Sequence, residues 1–207
     1  MSALQHVRSL PRLFRVPLSS NRSCHGNAAS SDRSYPSEPR VGVGVVVFKP
    51  PSLPGNTPEV LLIRRGKEPS KGLWCFPGGS QELGETIAEC AAREVLEETG
   101  LVVQVGPDVV CEGFSQDLVQ PTAFAAVDSL VRGPSGDIRF HYAIIEVAAL
   151  VARRSHHTPP RALDDADAAM WFPAQQLRQL PDLTPMCARI TEEALLRFPV
   201  VSRPLQQ

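Results

Sequence analysis

Several features that would assign this 207-residue sequence to a special class are missing. No run of 18 apolar residues exists, and a membrane-spanning helix would need one. The five cysteines are an odd number without a Cys-x-x-Cys pair, which excludes a disulfide framework and a structural zinc site and predicts free thiols in a reducing compartment. The net charge of −1 lacks the basic excess of nucleic-acid-binding proteins. We therefore expect neither a membrane nor a nucleic-acid polymer as a partner.

Acidic residues are nearly absent from residues 1–40, which contain six arginines and nine serines but only Asp32 and Glu38. An Arg-rich, Ser-rich and acid-poor segment is typical of an organelle transit peptide. Apolar residues at helical spacing with arginines between them favour a mitochondrial address. A plastid address is an alternative, as is a plain disordered tail on a cytoplasmic protein. In each case we expect residues 1–40 to lie outside the folded domain.

We expect residues 41–200 to form one domain and residues 201–207 a short tail. The segment Thr86–Thr99 contains no Gly or Pro and stops at Gly100, as a helix does. Thr184 is expected to cap a final helix. Runs of β-branched residues predict strands at Val41–Phe48, Glu59–Arg65, Leu101–Val105, Val109–Gly113, Ala123–Val131, Arg139–Leu150 and Ala169–Phe172. This order predicts an α/β sandwich with a central mixed sheet between helices.

The predicted central helix carries three glutamates on one face. Glu94, Glu97 and Glu98 stand at i, i+3 and i+4, and adjacent carboxylates repel one another unless cations bind them. Oxygen ligands with open water positions are what Mg²⁺ or Mn²⁺ select. A solvated acidic face is the alternative for an isolated cluster, but the surrounding pattern disfavours it.

Residues around the cluster fit the same interpretation. Arg93 lies one helical turn before Glu97 and can orient a carboxylate for metal binding. Gly79 and Gly84 let the preceding loop bend back, so that a backbone carbonyl can join the metal ligands. The neighbouring helix face is expected to pack against the sheet through Ala88, Ala92, Val95 and Leu96.

The whole segment Gly79–Leu101 resembles the Nudix box at its defining positions. The resemblance implies an α/β/α sandwich in which the box forms a loop–helix–loop. It also implies Mg²⁺- or Mn²⁺-dependent hydrolysis of a nucleoside diphosphate linked to another moiety. By this resemblance the metal ligands are Glu94, Glu97, Glu98 and the Gly79 carbonyl, the catalytic candidates are Glu94, Glu97 and Arg93, and Glu85 supports the site.

The group that accepts the proton of the attacking water is either a box glutamate or one of three loop acids, namely Asp164, Asp165 and Asp167. Arg64 or Arg65 is a candidate for gripping a phosphate, and since strand neighbours point oppositely at most one should do so. Trp74 either stacks on a base or packs in the core. Two strand glycines, Gly42 and Gly44, either permit close approach of a ligand or allow a twist.

The box does not choose the substrate. The downstream tracts at residues 139–145 and 164–172 resemble a group of ADP-ribose pyrophosphatases and oxidised-dNTP hydrolases, which favours ADP-ribose-like substrates over oxidised or ordinary (d)NTPs. The alternative is a non-catalytic Nudix-fold module that senses nucleotides, although such modules usually lose the carboxylates retained here. A homodimer is compatible with the sequence.

Overall fold

The structure is a computed structural model that describes residues 34–51, 56–105 and 123–198. Within those ranges it contains eight strands and two α-helices, together with short 3₁₀ helices at Arg153–Ser155 and Ala174–Gln179. The strands are β1 (Arg40–Lys49), β2 (Glu59–Arg65), β3 (Trp74–Cys75), β4 (Gly78–Ser80), β5 (Val103–Val105), β6 (Ala123–Arg132), β7 (Ile138–Val151) and β8 (Ala166–Pro173). The helices are α1 (Ile87–Thr99) and α2 (Cys187–Arg197).

All eight strands belong to one mixed sheet with the path β3-β2-β1-β7-β5. The central pair, β1 and β7, is parallel, and the other pairings are antiparallel. Strand β8 extends the sheet beside β2, and β6 forms an antiparallel pair with β7. The sheet is therefore mixed, as the sequence predicts.

The two faces of the sheet hold two separate apolar cores. Val45 and Val47 of β1 pack with Val95 of α1, whereas Val46 and Phe48 pack in the cluster that includes α2. This alternation follows from the two-residue repeat of a strand, and both faces are apolar because a helix covers each one. The predicted α/β/α sandwich is confirmed.

Strand β1 divides one of its edges between two partners. Only Phe48 and Lys49 pair with β2, while Gly42–Gly44 pair with β4. The β4 strand is the start of the loop that leads into α1, so this pairing attaches the loop to the central strand. The first residues of the box loop are consequently part of the sheet.

Helix α1 has strong local end signals. Thr86 and Glu89 form a reciprocal capping box, and Gly100 ends the helix with a left-handed φ of 70°. The prediction for α2 is wrong: its N-cap is Met186, without a side-chain cap, and not Thr184. The reason is tertiary, because the Thr184 backbone N–H donates to the Trp74 carbonyl and its hydroxyl lies 2.9 Å from Cys187 Sγ.

The packing face of α1 also differs from the expectation. Leu96 is exposed, and the buried apolar residues of the helix are Cys90, Ala91 and Val95. The strand expected at Val109–Gly113, residues 1–33 of the expected leader and the tail at 201–207 lie outside the described residues. Neither of the two described α-helices is long and apolar enough to cross a membrane.

Candidate active site

The guanidinium of Arg93 is the centre of a network that joins the loop of the box to its helix. Its Nε and Nη2 donate to the two carboxylate oxygens of Glu85 at 2.7 and 2.9 Å. Its Nη1 donates to Glu94 at 2.8 Å and to Glu97 at 3.0 Å, and Nη2 also reaches the Ser80 carbonyl. The hydrogen bonds that Arg93 donates to these carboxylates, with the bond to Glu85 the largest cause, raise the pKa of Arg93 further. Arg93 therefore fixes three carboxylates at once, as its planar fork allows.

Glu98 is the buried member of the glutamate cluster, with 3% of its surface exposed. Burial raises the pKa of Glu98 to about 8, with a further increase from the charge of Glu94. The Gly78 backbone N–H donates to Glu98 Oε2 at 2.8 Å and opposes that rise. A carboxyl that is buried beside another carboxyl is a favourable place for a cation, which would lower the cost of ionising it.

Gly79 lies directly against the carboxylate of Glu94. A Cβ at Gly79 would be 2.6 Å from Glu94 Oε2, so a side chain here would push that carboxylate out of its position. The close approach brings the backbone of this loop next to the carboxylate cluster.

The donor set fits a hard divalent cation, since Glu94, Glu97 and Glu98 present only oxygen. Among the described residues, no three acidic, histidine or cysteine side chains converge on a single point as they now lie. Instead, Arg93 donates hydrogen bonds to Glu94 and Glu97, and the Gly78 N–H donates one to Glu98. The carboxylates share one small region, and side-chain rotation is what metal binding would require of them.

The three loop acids differ in their surroundings. The charge of Asp165 raises the pKa of Glu98, so Asp165 lies within electrostatic reach of the cluster. Its side chain pairs with Lys67, and its carbonyl accepts from the Gly66 N–H at 2.8 Å. Asp164 is exposed with a φ of 46°, and Asp167 is exposed.

The two arginines at the end of β2 differ as well. The charge of Arg65 lowers the pKa of Glu98, and its Nε donates to the Pro69 carbonyl. Arg64 is exposed and donates to the Gly72 carbonyl. Arg65 is thus the one that lies near the cluster.

Trp74 packs against the core on the α2 side of the sheet. Its ring meets that of Phe172 edge to face, with the centroids 5.0 Å apart. This geometry corresponds to the core-packing alternative for Trp74.

One buried carboxyl was not among the residues singled out in the sequence. Glu146 of β7 is 5% exposed, and its Oε2 has no hydrogen-bond partner among the described residues. Burial raises the pKa of Glu146 to about 7. The signal in the sequence is a lone acid within the apolar run Tyr142–Val151.

Comparison with known proteins agrees with this fold. The family model of the NUDIX domain matches residues 38–193. An ADP-ribose pyrophosphatase of Methanocaldococcus jannaschii is 49% identical over 47 residues, which are 23% of this chain and 28% of that protein. The 8-oxo-dGDP phosphatase NUDT18 of Homo sapiens is 54% identical over 43 residues, 21% of this chain and 13% of that protein. The alignments thus span less than a third of these relatives.

A solved structure extends the likeness to the whole domain. The NUDIX domain of Shewanella oneidensis NrtR, complexed with ADP ribose, superposes with a TM-score of 0.53 at 19% identity. The match covers 77% of this chain and 88% of that one, and it shows that the fold is shared. The match of the family model over residues 38–193 establishes that the chain belongs to the Nudix family.

Proposed function

We propose that this chain is a Mg²⁺-dependent pyrophosphohydrolase. Its substrate is a nucleoside diphosphate linked to another moiety, with ADP-ribose-like compounds favoured over oxidised or ordinary (d)NTPs. The observation that carries the proposal is the Arg93 network, which ties Glu85, Glu94 and Glu97 together beside the buried Glu98. A site that only sensed nucleotides would not need this arrangement of carboxylates.

The residues of the site divide the work. Glu94, Glu97 and Glu98 would hold the cation, with the Gly79 carbonyl beside them. A bound divalent cation neutralises pyrophosphate charge and lowers the pKa of water. Arg93 holds Glu94 and Glu97 beside Glu98, so that side-chain rotation alone would bring their oxygens to the cation.

Among the three loop acids, Asp165 is the best placed to accept the proton of the attacking water. It is the one whose charge acts on Glu98, whereas Asp164 and Asp167 are exposed. A box glutamate is the competing acceptor. Arg65, near Glu98, is the better candidate of the two arginines for binding a phosphate oxygen.

The substrate class is supported by what similar proteins are named for. One relative is named as an ADP-ribose pyrophosphatase and another as an 8-oxo-dGDP phosphatase. A solved domain of the same fold is complexed with ADP ribose. The compound in each of these names includes a nucleoside diphosphate.

The test is a panel of ADP-ribose, 8-oxo-dGDP, 8-oxo-dGTP and ordinary dNTPs, incubated with the full chain and Mg²⁺. We expect release of nucleoside monophosphate from ADP-ribose at the highest kcat/KM, and none after chelation with EDTA. Binding of a panel member without any turnover would support the non-catalytic sensing module instead.

We also propose that residues 1–40 direct the chain to mitochondria, on the basis of their composition. A fluorescent protein carrying these residues should co-localise with a mitochondrial marker. A plastid or uniform cytoplasmic signal would contradict the proposal.

A further inference from the structure

Glu146 lies where the apolar core on the α2 side of the sheet ends. In the parallel register, Val46 pairs with Ala148 within that core, and the next residues on the same face are Gly44 and Glu146. Burying a carboxyl without a hydrogen-bond partner lowers the stability of the folded protein. Its presence here therefore requires a physical explanation.

The glycines of β1 make room for this carboxyl. A Cβ at Gly44 would lie 2.8 Å from the carboxyl carbon of Glu146, so a side chain at position 44 would displace the glutamate. A Cβ at Gly42 would lie 3.5 Å from Ile144 and 3.6 Å from the carbonyl oxygen of Gly79. The backbone at Gly42 and Gly44, which carries no side chains, therefore borders both Glu146 and the loop beside the carboxylate cluster.

Helix α2 covers this end of the core. Burial raises the pKa of the Cys187 thiol to about 11, and the charge of Glu146 adds to that rise, so Cys187 lies within electrostatic reach of the carboxyl. One turn later on the helix, Thr191 is fully buried, and its hydroxyl has no partner among the described residues. The layer between β7 and α2 therefore contains an unpartnered carboxyl on its strand and an unpartnered hydroxyl on its helix.

We propose that this layer is a base-recognition subsite, in which the Glu146 carboxyl accepts a hydrogen bond from the exocyclic amino group of a purine. The inference rests on the proposed function, since it assigns the base of the nucleotide whose pyrophosphate the cluster binds. Apolar side chains cover the faces of a base, and one buried polar group reads its edge. A site of this kind discriminates strongly, because an analogue without the amino group loses this hydrogen bond.

The test uses nucleoside monophosphates, which contain no pyrophosphate and are not consumed. Affinities of AMP, GMP and IMP for the full chain with Mg²⁺ are measured by calorimetry. IMP lacks the amino group that each of the other two carries. We expect AMP or GMP to bind at least tenfold more tightly than IMP.

Two substitutions then address Glu146 itself. In Glu146→Gln the amide keeps the volume but adds a donor, and the preference over IMP should fall to less than about threefold. In Gly44→Ala the new Cβ displaces the carboxyl, and the preference should fall likewise. Glu193→Gln, a change at a partly buried position of α2 that removes an ion pair with Arg197, is the matched control and should leave the preference intact.

The outcomes separate the two proposals. A preference over IMP that survives both Glu146→Gln and Gly44→Ala, or an equal loss of affinity for all three nucleotides, would show a merely structural role. A preference lost in both variants, in a protein that hydrolyses nothing, would support the subsite and overturn the hydrolase. Hydrolysis by a wild-type protein that does not distinguish the three nucleotides would overturn the subsite alone.

Discussion

Glu98 and Glu146 are two buried carboxyls on opposite sides of one point in the sheet. Glu98 accepts from the Gly78 N–H, Gly78 pairs with Gly44 across the strands, and Gly44 lies against Glu146. Glu98 is surrounded by charges and a backbone donor, whereas burial is the single cause that raises the pKa of Glu146. The surroundings of Glu98 are suited to binding a cation, and those of Glu146 are suited to a neutral hydrogen-bonding partner.

The largest effect is expected on the Glu98 side of this comparison. Glu98→Gln keeps an oxygen that can accept from Gly78 but removes one charge from the cluster. We expect kcat to fall by several orders of magnitude with the fold retained, because cation binding stabilises the transition state. Steady-state kinetics at saturating Mg²⁺ measure the change, with Glu193→Gln as control. An unchanged kcat would end the assignment of Glu98 to a metal site.

A smaller loss should follow from weakening the network without changing its charge. Lysine at position 93 cannot bond both oxygens of Glu85 and reach Glu94 as well. We expect Arg93→Lys to lower kcat by roughly 10- to 100-fold with little change in KM. Arg178→Lys breaks a similar bidentate pair with Glu192 on the surface and should have no effect. A rise in KM alone would show that Arg93 binds phosphate directly.

Stability against pH compares the two carboxyls directly, in protein freed of metal by chelation. Both folded pKa values lie above the ordinary 4.5, so the folded state binds these protons more tightly and loses stability as the pH rises through about 7 to 8. One pKa unit corresponds to about 1.4 kcal/mol, so Glu98→Gln and Glu146→Gln should each raise the free energy of unfolding at pH 8.5 by several kcal/mol relative to wild type, with the larger gain for Glu98→Gln. The gain should disappear near pH 4.5. Equal stability of wild type and variants at both pH values in urea melts would contradict the burial of these groups.

The smallest effect is expected from removing residues 1–33, because every contact described for either carboxyl involves residues 34–198. A chain that starts at Ser34 should keep the melting temperature and kcat. A chain that starts at Arg40 also loses the hydrogen bond from the Tyr35 N–H to the Arg139 carbonyl, and its melting temperature should fall by a few degrees at most. A large loss in the first chain would show that residues 1–33 pack on the domain.

The sequence predicted the role of Glu98 in the carboxylate cluster but did not indicate Glu146, and the difference has a physical reason. Helix periodicity and local end signals such as Thr86 and Gly100 lie within one short segment. The Gly44–Glu146 contact depends on a parallel pairing of strands that are about 100 residues apart, and no local pattern specifies that register. The N-cap predicted for α2 was wrong for a similar reason. Thr184 forms a backbone hydrogen bond with the distant residue Trp74, and the local capping pattern does not reveal that contact.

The pairing of β4 with β1 has a consequence for how a substrate enters. The loop that carries Gly79 is held by the Gly42–Gly44 ladder and by a hydrogen bond from the Val45 N–H to the Pro77 carbonyl. Opening this loop would break backbone bonds of the central strand, so the amide proton of Val45 should exchange with solvent as slowly as those of the β1–β7 pair. Any movement that admits or releases a ligand is then expected in other segments, while the backbone beside the carboxylate cluster stays fixed.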